Sequence, residues 1–279
     1  MADLTTRPRT SIVTGGAAGI GQAVVRRLAA HGDTVVVTDV DEAGLGLLVD
    51  ELAGLGQRCI PVVGDITLDE TVDRTVAAAV EAGDGAIDVL VNNVGDFRPA
   101  SKDFARSKPE QWTRLHELNL HHVFTMSHAC LPHLRAAAER AGRASIVNNS
   151  TVEAFRGIPG NAVYSAYNAG VSAFTKSLAV ELAPDGIRVN AIAPDLADTE
   201  QTPAEAMLRG RDPELIPTWV PVGRFGRPDE YAAVIEFLAS DAASYVTGHT
   251  VPVDGGTLAA SGWYRRVDRK GWTNMPDHA

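Results

Sequence analysis

Short runs of β-branched residues recur along this chain, and each is followed by a stretch in which apolar residues return every three to four positions. That alternation is the strongest constraint on its fold, since all-helical and all-strand architectures carry only one of the two periods. Ser11 to Val13 opens the series and leads into a glycine-rich turn. Ile20, Val24 and Leu28 then repeat at i, i+4 and i+8, and Gly32 stands where a helix end takes a left-handed residue. Further strands are predicted at Thr34–Thr38, Cys59–Val63, Ile87–Val91, Ser145–Val147, Ile187–Ile192 and Thr250–Val253. Unbroken Val/Ile runs between helices signal parallel strands buried on both faces. The fold class is therefore α/β: a Rossmann-like, doubly wound parallel sheet of about seven strands flanked by helices.

With 279 residues, 45% hydrophobic and 22% charged, the chain can bury a full core, and no linker, internal repeat or low-complexity tract divides it. A single domain over 1–279 is expected, with its core at 10–256 and a C-terminal tail at 257–279. The net charge of −10 argues against a nucleic-acid partner, whose phosphates need a basic face. Met1 to Arg9 has no apolar leader, and no run reaches the ~20 apolar residues of a membrane span, so a cytoplasmic protein is expected. Cys59 and Cys130 form neither a CxxC pair nor a disulfide framework and are expected to be reduced and buried.

A long helix is predicted from about Trp112 to Arg140, carrying His116, His121, His122, His128 and His133. His121 and His128 share one face, and His122 and His133 another. The helical rise separates these pairs by roughly 10 and 16 Å, whereas ligand nitrogens sit about 2 Å from an ion. No metal is expected there, and the histidines read as structural or interface residues.

Between the first strand and the first helix runs Thr14-Gly15-Gly16-Ala17-Ala18-Gly19-Ile20-Gly21. Glycines let backbone approach a pyrophosphate closely and aim the helix N-terminus, with its free amides and positive dipole end, at that anion. Glycines also make plain turns, so context decides. Asp39 stands eighteen residues beyond Gly21, at the end of the second strand. A carboxylate there accepts hydrogen bonds from the adenosine ribose hydroxyls and repels a 2′-phosphate, and no lysine or arginine occupies the glycine-rich turn or position 40. NAD is expected over NADP, with a solvated strand-end aspartate as the plainer alternative.

Five further segments follow in order. They are Gly64-Asp65-Ile66 after the third strand, Asn92-Asn93-Val94-Gly95 after the fourth, Asn119 on the long helix, Pro194 to Thr199 after the sixth strand, and Val253-Asp254-Gly255-Gly256 at the last. With the TGxxxGxG spacing of the turn, this succession closely resembles the short-chain dehydrogenase/reductase family from about Ser11 to Gly256. The resemblance implies that Gly15, Ala18, Gly19, Ile20 and Gly21 cradle the cofactor and that Asp65 and Ile66 contact its adenine. It implies that Asn93 and Gly95 border the adenosine ribose, that Pro194 lies against the cofactor, and that Thr199 bonds the nicotinamide carboxamide. Asn119 matches the asparagine that anchors a proton-relay water.

Family members carry Ser, Tyr thirteen positions later and Lys four beyond it; those slots hold Thr151, Tyr164 and Asn168 here. Thr151 keeps the hydroxyl, while Ser150 faces the opposite way on a strand. The lysine slot matters more. Its ammonium, in the family, bonds the nicotinamide ribose and lowers the tyrosine's pKa. Asn168 can still bond the ribose but brings no charge. A phenol near pKa ~10 is about one-thousandth ionised at neutral pH, so alcohol oxidation slows by orders of magnitude, with partial relief from the positive nicotinamide ring. Ketone reduction, which needs the neutral phenol, suffers less.

Two functions follow. One is an NAD-dependent oxidoreductase that passes a hydride between the nicotinamide and a secondary alcohol or ketone, with Tyr164 as acid or base, Thr151 polarising the oxygen and Asn119 holding relay water. The other is an NAD-binding protein of the same fold with little or no dehydrogenase activity, because of Asn168. Glu153, Phe155, Asp96 to Arg98 and the Glu200–Trp219 segment are expected to line the pocket for a small-molecule alcohol or ketone, cyclic or hydrophobic, with Met207 and Trp219 as an apolar lid. The resemblance also implies a homotetramer paired through the helices around Asn119 and Tyr164, where Ala166, Ala169, Gly170 and Ala173 permit close approach. Trp263, Tyr264 and Trp272 are expected to dock the tail on a neighbouring subunit or the active-site rim, whereas Arg265, Arg266, Arg269 and Lys270 favour a solvated tail.

Overall fold

In the computed structural model, which describes residues 8–260, 262–268 and 270–273, seven parallel strands form one sheet. They are β1 (Thr10–Thr14), β2 (Thr34–Asp39), β3 (Cys59–Val63), β4 (Val89–Asn92), β5 (Ala144–Asn149), β6 (Ile187–Pro194) and β7 (Thr250–Val253), in the order β3-β2-β1-β4-β5-β6-β7. All seven fall on predicted strands. β4 starts later than the Ile87 expected, because the Ile87 amide donates to the His133 carbonyl and the Asp88 carboxylate receives the Thr10 amide at 2.8 Å.

The helices are α1 (Gly19–Ala30), α2 (Glu42–Gly54), α3 (Asp69–Ala82), α4 (Pro109–His116), α5 (His122–Ala141), α6 (Ala162–Leu182), α7 (Ala204–Leu208), α8 (Ile216–Trp219) and α9 (Pro228–Ala239). Strand side chains alternate between two apolar layers. Ile12, Val36 and Ile146 meet α3, α5 and α6 through Val72, Met126, Leu134 and Leu182. Val13, Val35 and Val37 meet α1, α2 and α9 through Val24, Leu28, Leu48 and Ile235. β1 has β2 on one side and β4 on the other, so the chain reverses its direction of travel across the sheet between them. At such a switch point, the loops leaving the strands' C-terminal ends diverge and open a crevice.

The helix expected over Trp112–Arg140 is divided: a π-helical turn at Glu117–His121 joins α4 to α5. His116 rests on His121 and Tyr167, with ring centroids 5.5 and 5.4 Å away. His122 is buried with Nε2 against the Val94 carbonyl at 3.1 Å, and burial drives its pKa down to about 4. It props the loop after β4 as a neutral ring. Cys130 is buried, but Cys59 is only half-buried, a correction with a simple cause: β3 is the sheet's edge strand.

β8 (Tyr264–Arg265) and β9 (Trp272–Thr273) pair antiparallel, and β8 packs against α8. Trp263 and Tyr264 nevertheless stay 54% and 41% exposed. Arg269, the side chain of Trp272 and the stretch before Pro8 lie outside the described residues. Among the described residues, no helix is long and apolar enough to cross a membrane, and no cluster of His, Cys, Asp and Glu could hold a metal ion.

Candidate active site

One cleft of about 560 Å³ runs across the C-terminal ends of the strands. The residues expected from the sequence to bind cofactor or act in catalysis line it: Gly15, Ala18, Gly19, Ile20 and Gly21 of the glycine turn, Asp39, Asp65, Ile66, Asn93, Gly95, Asn119, Thr151, Tyr164, Asn168, Pro194 and Thr199.

At one end, the turn between β1 and α1 is held in a shape that only glycine permits. A Cβ on Gly21 would stand 2.0 Å from the Gly15 carbonyl oxygen, so the helix can start this close to the turn only without a side chain. Ala18 caps α1 without a side-chain hydrogen bond, leaving first-turn amides for an anion. Asn93 ties the end of β4 to this turn, its Nδ2 donating to the carbonyls of Thr14 and Gly15, both at 3.0 Å. Asp39 accepts the Ala17 amide at 2.9 Å and the Asp41 amide at 3.1 Å. These single bonds leave each carboxylate oxygen further accepting capacity. Burial raises the pKa of Asp65, but bonds from Thr67 and from Arg114 at 3.1 Å outweigh it and hold the carboxyl below its usual range. A cradle of this kind, with glycine backbone, uncapped helix amides and a carboxylate at the end of β2, fits a dinucleotide.

At the centre, Thr151, two residues beyond β5, caps a short 3-10 turn, Val152–Ala154, by accepting the Glu153 amide at 3.3 Å. Its hydroxyl donates to the Pro194 carbonyl at 3.3 Å and lies close enough to Tyr164 to act on the phenol. Ser150 points elsewhere, into α6, where its hydroxyl meets the Asn168 carbonyl at 3.0 Å and the Ser172 hydroxyl at 3.2 Å. Tyr164 sits on the first turn of α6, with Phe97 edge-on to its ring at 6.1 Å. Asn168, 3% exposed, donates to the Tyr164 backbone carbonyl at 3.0 Å. Burial is the main cause of a phenol pKa well above the ordinary value. The carboxylates of Glu153, Asp96 and Asp195 add to it, and the Thr151 hydroxyl opposes it. Among the described residues, no cation stands among these influences.

Asn119 lies in the π-helical turn, where its amide is committed to protein. Oδ1 accepts the Asp96 amide at 3.0 Å, and Nδ2 donates to the carbonyls of Asp96 and Leu115, each at 2.9 Å. Its side chain therefore clamps the loop after β4. Across the cleft, Gln201 donates to the Gly95 carbonyl at 3.2 Å, and Thr199 packs on Gly19.

At the far end, Asp96, Phe97, Arg98, Glu153 and Met207 line the cleft as expected, together with Arg156, Ile158 and Asp195. Phe155 and Trp219 do not. Phe155 is 44% exposed on the outer side of its turn, and Trp219 packs towards Phe225 at 6.3 Å, so the aromatic half of the expected lid belongs to the fold.

Asp195 went unremarked in the sequence, although it fills the glycine position of the PGxxxT pattern. Its Oδ2 receives Arg156 at 2.6 Å and the Thr257 hydroxyl at 2.5 Å, and its carbonyl receives the Tyr231 hydroxyl at 2.6 Å. These bonds pin the segment after β6 while Leu196 holds a φ of +43°, a left-handed conformation costing roughly 1–2 kcal/mol.

The family described as Enoyl-(Acyl carrier protein) reductase is matched over residues 15–257. The 3-oxoacyl-[acyl-carrier-protein] reductase FabG of Thermotoga maritima is 40% identical, covering 90% of this chain and 98% of its own. The cis-4-hydroxycyclohexanecarboxylate dehydrogenase of Sinomonas cyclohexanicum is 39% identical, covering 90% and 97%. The crystal structure of 3-ketoacyl-(acyl-carrier-protein) reductase from Brucella melitensis complexed with NADH superposes with a TM-score of 0.79 at 32% identity, covering 90% and 98%. With its ordered motifs, its seven-stranded sheet and matches over nine-tenths of its length, the chain belongs to the short-chain dehydrogenase/reductase family of nicotinamide-dependent oxidoreductases.

Proposed function

We propose that this protein is an NAD(H)-dependent carbonyl reductase acting on a small ketone, with the corresponding secondary alcohol as product. The observation that carries this reading is the state of Tyr164. A half-buried phenol whose pKa is raised by desolvation and by the carboxylates of Glu153, Asp96 and Asp195 keeps its proton, which suits it to act as an acid towards a ketone and not as a base towards an alcohol. Bound NADH would supply the hydride to the carbonyl carbon. Tyr164 gives its hydroxyl proton to the carbonyl oxygen and regains one from water, while the Thr151 hydroxyl holds that oxygen in place. Asn119 keeps the loop after β4 in position beside them.

Several features support the remaining assignments. The glycine turn with Ala18 and Ile20, and Asp65, Ile66, Asn93, Gly95, Pro194 and Thr199, form the cofactor half of the cleft. Asp39 favours NAD over NADP by repelling a 2′-phosphate. Asn168 holds the cofactor ribose through hydrogen bonds alone. The unit is a single domain, 10–256 with its tail, assembled as a homotetramer in the cytoplasm. The substrate is a cyclic ketone, in keeping with the relative that acts on a hydroxycyclohexane ring.

Asn168 also favours a second reading, an NAD-binding protein with little or no turnover. The two separate in one experiment: titrate NADH by fluorescence, then follow its oxidation with a panel of cyclic and linear ketones. Ketone-dependent oxidation supports the reductase. Saturable binding with no oxidation across the panel supports the second reading.

A further inference from the structure

Five charged side chains line the far end of the cleft: Asp96, Arg98, Glu153, Arg156 and Asp195. Four of them neutralise one another. Arg98 grips Asp96 with Nε at 2.9 Å and Nη2 at 2.7 Å, and Arg156 holds Asp195 at 2.6 Å. Glu153 is the fifth. Among the described residues it forms no ion pair, and its Oε2 is shielded from solvent without a hydrogen-bond partner. Leaving a buried acceptor unmet is costly, and the cost vanishes when a donor enters beside it.

We propose that Glu153 is the specificity-determining residue of the substrate pocket: its carboxylate receives a hydrogen-bond-donating group, hydroxyl or ammonium, that the ketone carries away from its reacting carbonyl. The proposal rests on the reading of this cleft as a carbonyl reductase site. The local backbone supports it. Glu153 lies two residues from Thr151 on the 3-10 turn that the Thr151 hydroxyl caps. The group that holds the reacting oxygen and the group that would hold the second substituent are therefore fixed relative to each other. Burial and the neighbouring Asp195 raise the Glu153 pKa to about 7, against the pull of Arg156 and Asn161, so the carboxylate is available at and above neutral pH.

The test compares cyclohexanone, 4-hydroxycyclohexanone and 4-aminocyclohexanone at pH 8 with NADH. Because Glu153 also acts on Tyr164 through space, its replacement moves all rates together, and the ratio of kcat/KM between ketones isolates recognition. The unaltered protein should favour the substituted ketones, chiefly through KM, by about 10- to 100-fold, the worth of one hydrogen bond to a charged group. E153L should collapse both ratios towards one. E153Q, which keeps an acceptor but no charge, should retain part of the hydroxyl preference and lose the ammonium preference.

Equal kcat/KM for the three ketones in the unaltered protein, or ratios that survive in E153L, would overturn the proposal. Should no ketone be reduced, the reductase reading fails by itself. The subsite is then read by calorimetry of 1,4-cyclohexanediol and cyclohexanol with the NADH complex: tighter diol binding that E153L abolishes supports the proposal, and equal binding overturns it.

Discussion

Restoring a cation at position 168 is the most informative perturbation of the chemistry. In Asn168→Lys, an ammonium about 5 Å from the phenol, at an effective dielectric near 20, would favour the phenolate by about 3 kcal/mol. At about 1.4 kcal/mol per tenfold change in ionisation, the phenolate fraction at neutral pH rises roughly 100-fold. Alcohol oxidation should rise with it, by about 10- to 100-fold at pH 7, and its pH profile should move to lower pH. The position is 3% exposed, and burying an ammonium there opposes the gain. The nearby carboxylates offset part of that cost, and the melting temperature should drop by a few degrees. Initial rates of NAD reduction between pH 6 and 10, with circular dichroism to verify folding, decide the matter. An unchanged profile in a folded variant would refute the account, since Tyr164 ionisation would not then limit oxidation.

Three further outcomes are expected. Calorimetry should give NAD at least ~10-fold tighter binding than NADP if, as proposed, the Asp39 carboxylate repels a 2′-phosphate; equal dissociation constants would remove Asp39 from cofactor selection. Glu153→Gln should stabilise the protein in a pH-dependent way. A carboxyl whose pKa rises from 4.5 to about 7 on folding makes the native state lose stability as pH climbs through that interval. The variant should gain little at pH 4.5 and about 1–2 kcal/mol at pH 8, after discounting for solvent screening, and a gain equal at both pH values would be inconsistent with this. Light scattering should report a tetramer, and a monomer would rule out pairing through the helices around Asn119 and Tyr164.

The strands were legible because buried parallel strands leave unbroken Val/Ile runs, and the cofactor half of the cleft because glycine spacing writes backbone geometry directly into sequence. The opposite directions of two neighbouring hydroxyls were legible too: alternation continued past the end of β5 separates Thr151 from Ser150, whose hydroxyl turns into α6. The π-helical turn at Glu117–His121 was not, since one extra residue in a helix leaves the apolar pattern on either side intact. Trp219 and Phe155 misled because size and hydrophobicity indicate that a side chain packs without saying against what. The charge pairing at the far end, Asp96 with Arg98 and Asp195 with Arg156, leaves Glu153 without an ion pair among the described residues. That pattern depends on residues up to 39 positions apart and became visible only once the loops were placed.

On the proposed function, Tyr164 acts as the proton donor in hydride transfer to a ketone. The most direct test of this role is a single-turnover reaction with NADH deuterated at the transferable C4 position and the best ketone of the panel, run with the protein and with Tyr164→Phe. The expected result is deuterium at the carbinol carbon of the product, a rate at least ~100-fold lower in the variant, and unchanged NADH binding in both. A variant that transfers deuterium as fast as the parent would contradict it.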